Sequence, residues 1–302
     1  MIRPVDRLEE DRLAVFLFHG VVEKSTYQIR NYTNKHLPKD TFAGVIRELC
    51  SKGYPLSMEE AIWHQKNHKP FPPRAFAVTF DDGFENNFTI AAPILAEANV
   101  PALFYVTTGF IEYNSMSWID RIEYCLEIHS GGELKLPWSE GMHQFQSPAD
   151  KIRLLEEIRL NVKNDPDINV ESLVDSIFVQ CQIEPVVQSK DPLDKKMSWQ
   201  QVRELNESPN FMVGGHSHTH AVMSFLSRDD LEFEIATSLG LLQDRAGVMP
   251  RHYSYPEGLA HCYSPEVIEA LKNHGVICCP TAIDGVNMFF DDLFELKRIM
   301  LA

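Results

Sequence analysis

The sequence predicts an α/β fold, a TIM-like parallel (β/α) barrel interrupted by a largely helical insertion. Three observations lead there. Short apolar runs alternate with helix-patterned stretches along most of the chain, the rhythm of right-handed β-α-β units in a parallel sheet. Chemically capable residues stand directly behind several of these runs: His19 after Leu13–Phe18, Asp81 and Asp82 after Ala75–Phe80, His216 and His220 after Phe211–Val213. In a (β/α) barrel the C-terminal strand ends surround one mouth, so such residues converge there from distant parts of the chain. The alternation breaks near residue 110 and resumes near 196, which marks the insertion in a single barrel spanning 1–302.

Leu13 to Phe18 is a continuous apolar run, the pattern of a strand buried on both faces. Asp40 or Thr41 caps a helix reaching about Lys52, closed by Gly53. Ser57 and Glu60 have the spacing of a capping box for a helix to about Lys66. Pro70, Pro72 and Pro73 make the next stretch a loop. The strand Ala75–Phe80 follows, then a helix to about Ala98 and the strand Ala102–Val106. Inside the insertion, Trp118–Ile128, Asp150–Val162 and Glu171–Gln182 read as helices. Gly131-Gly132, Pro137 and a run rich in Gln, Ser and Met lie between them. Ser198 caps Trp199–Asn206, and Ser227 caps a long helix to about Arg245 with Asp229 and Asp230 set favourably against its dipole. His252–Tyr255 and Val276–Cys279 read as strands, Ser264-Pro265 opens a helix that Gly275 closes, and Phe294–Met300 reads as the last strand.

Composition narrows the function. The 302 residues are 44% hydrophobic and 24% charged, which fits a globular enzyme rather than a disordered chain. Acidic residues outnumber basic ones 43 to 28, a balance that disfavours nucleic acid as a partner. No apolar stretch is long enough for a transmembrane segment. The N-terminal stretch has no signal-peptide core, so the expected location is cytoplasmic, with the inner face of the membrane as a variant. The six cysteines show no zinc spacing and read as buried thiols. Trp118, Trp138 and Trp199 are read as core residues before sugar-stacking ones.

Adjacent carboxylates at the end of an apolar strand repel each other and stay ionised only beside a compensating positive charge. A metal ion is the usual one. His216 and His220, four residues apart, together with one aspartate make a two-His, one-carboxylate set with an open position, suited to zinc or another divalent transition metal. His218 is a further candidate, and Ser217 and Thr219 can orient the imidazoles. The second aspartate is then free to accept a proton from water.

Thr79-Phe80-Asp81-Asp82-Gly83 resembles the first motif of the polysaccharide deacetylases, the NodB-homology or carbohydrate esterase family 4 group. His216-Ser217-His218-Thr219-His220 is similar to their second motif, His-Ser/Thr-x-x-His. The resemblance covers nearly the whole chain outside the insertion. It implies a distorted (β/α)7 barrel and metal-dependent hydrolysis of an N-acetyl group on a sugar. Residue for residue, it implies Asp81 as the general base and Asp82, His216 and His220 as metal ligands, with a backbone N–H near Tyr255–Glu257 for the oxyanion. The other motifs depart from the common pattern. Ser254, in Tyr253-Ser254-Tyr255-Pro256, stands where an arginine is usual, and the late Leu-x-His is replaced by Leu296-Lys297-Arg298. The expectation is that His19 supplies the acid and Arg298 holds Asp81. The expected substrate is an N-acetylated saccharide or a lipid- or nucleotide-linked sugar, with oligomerisation through the insertion. The alternatives are a deformylase acting on a lipid-linked amino sugar and an inactive, metal-containing sugar-binding protein.

Overall fold

A computed structural model describes residues 3–24, 26–188 and 190–302. β1 (Leu13–Phe18) runs into the short β2 (Gly20–Val22), which pairs with β3 (His36–Pro38). α1 (Lys39–Lys52) and β4 (Tyr54–Pro55) follow, then α2 (Met58–Lys66), whose Ser57 and Glu60 close the capping box anticipated from their spacing. β5 (Ala75–Phe80) delivers the aspartate pair. The helix expected behind it starts as a π-helical turn over Asn87–Ala91 and becomes α3 (Ala92–Glu97) before β6 (Ala102–Val106). The five principal strands lie in the order β10-β1-β5-β6-β9, all parallel, with β9 (Phe211–Gly215) and β10 (Ile299–Met300) at the ends. β4 pairs with the first two residues of β5, and β6 with its last three.

Alternate residues of these strands serve two packed layers, as the period of a strand requires. Phe16, Phe18, Phe80 and Phe104 join α1 and α3 on one face. Leu13, Val15, Ala77, Leu103 and Tyr105 point to the other, where Cys278 and Leu296 meet them. With both faces covered, β1, β5 and β6 are buried at every position.

Two expected strands do not form as strands. His252–Tyr255 and Val276–Cys279 contribute only the parallel bridges Gly215–Tyr253 and His252–Cys278. The expected final strand is reduced to β10. Pro256 and Pro280 stand at the ends of the two bridging segments and donate no hydrogen bond, which stops each ladder from growing. The wall continues through isolated backbone bonds instead. Tyr253 N–H donates to Cys278 O at 2.9 Å and Cys279 N–H to Leu293 O at 2.9 Å. The path thus returns to the segment before β10, and the barrel is distorted on that side.

α4 (Thr108–Tyr113) leads into the insertion and packs Ile111 on the barrel core, while α5 (Trp118–Ile128), α6 (Pro148–Asn164) and α7 (Val170–Cys181) pack around their own apolar cluster, which includes Ile122, Leu155 and Phe178. The stretch between the first two expected helices contains an antiparallel hairpin, β7 (Gly132–Lys135) with β8 (Met142–Phe145). Its buried positions are limited to Leu134 and Phe145, too few to show alternation in the sequence. α8 (Trp199–Glu207), α9 (Arg228–Ala246) and α10 (Pro265–Asn273) complete the outer layer. All six cysteines are free thiols. Among the described residues no helix is long and apolar enough to cross a membrane.

Candidate metal centre

β5 and β9 end at the same mouth of the barrel. β5 places Asp82 there, and the turn after β9 places His216 and His220. One ligand atom from each lies within 4.8 Å of the others. His220 Nε2 is 3.3 Å and His216 Nε2 3.6 Å from Asp82 Oδ1, an oxygen that is buried without a hydrogen-bond partner. His216 Nδ1–H donates to Ser254 O at 2.8 Å, so its Nε2 lone pair faces Asp82. A buried orphan carboxylate oxygen opposed by two imidazole nitrogens fits a divalent cation. Burial alone would push Asp82 up, but the two imidazoles outweigh it and hold the carboxyl well below its usual range. For His220, burial works against the charged form and Asp82 more than compensates, so its pKa is raised.

The backbone is bent to bring these atoms together. Asp82, Ser217, His220 and Glu257 all have φ between 60° and 74°, the left-handed region. Gly215, just ahead of His216, has no room for a side chain, because a Cβ there would lie 2.5 Å from the Tyr253 ring. Ser217 Oγ accepts from His220 N–H at 2.9 Å. Glu234, on α9, accepts from His218 N–H, Thr219 N–H and Thr219 Oγ1–H at 2.8, 2.9 and 2.7 Å. His218 itself turns to Thr108 Oγ1 at 3.0 Å and is absent from the cation-facing group.

Asp81 points to a different partner. Arg298 donates to it through Nη1 and Nη2, both at 2.8 Å, in a bidentate pair. Ser254, where the resemblance would place arginine, accepts from Arg298 Nη2 at 2.8 Å and donates to Asp81 at 3.3 Å. Arg298 is anchored in turn by donating to Thr281 O, and its guanidinium lies 5.8 Å from the Tyr105 ring centroid. Burial opposes the Asp81 charge, yet Arg298 outweighs it and holds this carboxyl below its ordinary value.

A cavity of about 350 Å³ opens on these groups and is lined by His19, Asp81, Asp82, His216, His220 and Glu257. Burial pushes the His19 imidazole down to about 4, against the pull of Asp82 and Asp81, so it is uncharged at neutral pH. Glu257 pairs with Lys163 on α6 at 2.5 Å. The Tyr255 side chain does not line this cavity. Its ring stacks on Tyr263 at 4.6 Å and its hydroxyl donates to Phe294 O, which leaves only its backbone for a substrate contact. The insertion supplies the opposite wall with Trp118, Arg159 and Lys163, and Lys35 approaches from the loop before β3. None of these four was singled out as a site residue in the sequence, and Trp118 was read as core. No local pattern marks them, since their position depends on how the insertion folds over the mouth.

Residues 68–278 match the polysaccharide deacetylase family. A poly-β-1,6-N-acetyl-D-glucosamine N-deacetylase of Staphylococcus aureus strain MSSA476 is 28% identical over 134 residues, which are 44% of this chain and 42% of the relative. The match therefore spans less than half the length of that relative. Among solved structures, the Streptococcus pyogenes deacetylase PplD in complex with acetate aligns with a TM-score of 0.62 at 15% identity, covering 97% of this chain and 93% of that one. IcaB from Ammonifex degensii aligns with a TM-score of 0.61 at 18% identity, covering 98% and 94%. At those identities the likeness is one of fold.

Proposed function

Because the chain belongs to the polysaccharide deacetylase family, we propose that it hydrolyses N-acetyl groups on the amino sugars of a glycan, with poly-N-acetylglucosamine as the first substrate to test. The observation that carries this reading is the division of the aspartate pair. Asp82 faces two imidazoles across an unsatisfied oxygen, and Asp81 is clamped by Arg298 beside it. A binding protein needs the first arrangement and has no use for the second.

The roles follow from the chemistry. A divalent ion held by Asp82, His216 and His220, zinc in this reading, would supply a Lewis acid and an acidified water. Asp81, kept ionised and oriented by Arg298 and Ser254, takes a proton from the attacking water. Negative charge then grows on the acyl oxygen, and a backbone N–H of the Tyr255–Glu257 segment stabilises it. Collapse of the adduct breaks the C–N bond, and the leaving nitrogen takes up the proton that Asp81 removed from water, with His19 on the same cavity wall as the group that passes it on. The products are acetate and a free amine.

The test is acetate and amine release from poly-β-1,6-N-acetylglucosamine and its oligomers, with and without a chelator. Acetate release that stops on chelation and returns with zinc supports the proposal. A protein that binds zinc stoichiometrically and releases no acyl group contradicts it, and preferential release of formate from N-formyl sugars moves it to deformylation. A cytoplasmic enzyme would meet this chemistry on short or carrier-linked saccharides, an exported one on the polymer; cell fractionation separates the two.

A further inference from the structure

The catalytic cavity carries cations that the metal centre does not use. Lys35, Arg159 and Lys163 all line it. Lys163 is matched inside the cavity, by Glu257. Lys35 and Arg159 are matched from behind. Lys35 Nζ donates to Asp120 and Arg159 Nη2 to Glu123, both at 2.8 Å. These two carboxylates, on α5, are buried and absent from the lining. The cavity therefore meets the positive end of each pair.

The loop that presents Lys35 is held on both sides. Glu127 accepts from the backbone N–H groups of Gln28, Ile29 and Arg30, and Glu123 from that of Asn31 at 3.1 Å. The Asn31 side chain in turn binds both the N–H and the C=O of His36. Behind the loop, Lys35 Nζ lies 4.9 Å and Lys196 Nζ 3.3 Å from the centroid of one ring, that of Phe84. Lys196 Nζ is buried without a hydrogen-bond partner among the described residues. Burial opposes the charge on Lys35 and Arg159, yet Asp120 and Glu123 outweigh it, so both stay cationic at neutral pH. Burial pushes Lys196 down to about 8, which leaves it mostly charged at pH 7. Positive charge gathered in a low-dielectric wall, part of it unpartnered, attracts an anion.

An ammonium and a guanidinium each have several donors. One bond apiece to Asp120 and Glu123 leaves Lys35 and Arg159 able to hold a second anion. The cavity, about 350 Å³, takes one acetamido sugar and its nearest substituent. We infer that Lys35 and Arg159 form an anion site for the reacting unit, and that the substrate carries a negative group, a phosphate ester or a carboxylate, on the amino sugar whose acetamido group is hydrolysed. This rests on the deacetylase reading and adds the charge of the substrate to it. A neutral saccharide is cut, and its anionic counterpart is cut faster.

The experiment compares kcat/KM for acetate release by the zinc-loaded protein at low ionic strength. The neutral probe is methyl N-acetyl-β-glucosaminide. The anionic probes are N-acetylglucosamine 1-phosphate, N-acetylglucosamine 6-phosphate and N-acetylmuramic acid, which separate phosphate from carboxylate. The expected result is that an anionic probe exceeds the neutral one about tenfold or more, the scale of a charge-assisted hydrogen bond. Added salt shrinks the advantage. In Arg159→Gln the anionic-to-neutral ratio falls about tenfold, through KM, and Arg159→Lys, which keeps a charge, recovers part of it. Lys35→Gln lowers the ratio likewise, and the Arg159 variants serve if Lys35→Gln, which strips Asp120 of its partner, misfolds. Lys66→Gln, which removes an exposed lysine on α2, leaves the ratio as in the wild type. A ratio of one or less for every anionic probe overturns the anion site and leaves deacetylation standing. A ratio that Arg159→Gln and Lys35→Gln both leave unchanged overturns it too, because the anion is then held by zinc alone. Absence of acetate from every probe removes the deacetylase reading itself. Titration of the zinc-loaded protein with N-acetylglucosamine 1-phosphate then tests the site separately: weaker binding in Arg159→Gln than in the wild type supports it, and equal binding overturns it.

Discussion

Two neighbouring aspartates face different partners, and their proposed roles divide accordingly. Asp81 meets a guanidinium and a hydroxyl, and Asp82 meets two imidazoles and keeps one oxygen unsatisfied. Arg298 comes from the far end of the chain, and Ser254 relays it: one hydroxyl accepts from the arginine and donates to the carboxylate. This arrangement separates two losses. Asp81→Asn should lower kcat by about 10²–10⁴-fold, the scale of general-base catalysis, with zinc content by elemental analysis near that of the wild type. His216→Ala should empty the site in the same assay. If Asp81→Asn turns over at the wild-type rate, the base lies elsewhere.

The strand ends were readable in the sequence because an apolar run followed at once by His19, by Asp81-Asp82 or by the histidine turn is a local signal. The pairing of Arg298 with Asp81 followed from a gap in the family pattern, since a buried carboxylate without its usual arginine requires another cation. The support behind the histidine turn was not readable. Glu234 sits on α9 in an otherwise ordinary helical stretch, and its three bonds reach back to a loop fifteen or sixteen residues earlier. The hairpin β7–β8 and the wall residue Trp118 were hidden for a related reason: each is defined by tertiary packing within the insertion. Glu234 gives an element-scale prediction. Glu234→Ala frees the turn that carries His220 and should weaken zinc affinity about 10- to 100-fold, the usual effect of losing a group that orients ligands. Competition with a chromophoric chelator measures it, and an unchanged affinity would mean that the turn holds itself.

Across the molecule, the insertion and barrel are joined by polar groups, of which Arg30, Asp120 and Asp194 are buried. Glu127 on α5 accepts three consecutive backbone N–H groups, those of Gln28, Ile29 and Arg30. Arg30 pairs with Asp194, and Lys35 with Asp120 at 2.8 Å. His36 lies nearby, its Nδ1 accepting from Asn86 Nδ2 at 3.1 Å and its ring edge-on to Phe84. Burial holds His36 neutral, well below its ordinary pKa, and His19 at about 4. The unfolded chain therefore binds more protons than the folded one below about pH 6.5. Stability is full above that value and falls on acidification, by about 1.4 kcal/mol per pH unit for each group. Thermal melts of the metal-free protein from pH 7 to 4.5 should show a falling Tm, with a shallower slope in His36→Gln; equal slopes would mean that His36 is not the group responsible. The left-handed backbone of Asp82, Ser217, His220 and Glu257 has a consequence for evolution. At each of these positions glycine would relieve strain worth on the order of 1 kcal/mol or more, and at two of them it would delete a side chain of the candidate metal centre. A population screened only for heat resistance would drift towards those glycines and lose the centre, so only selection for turnover keeps the chain at its less stable optimum.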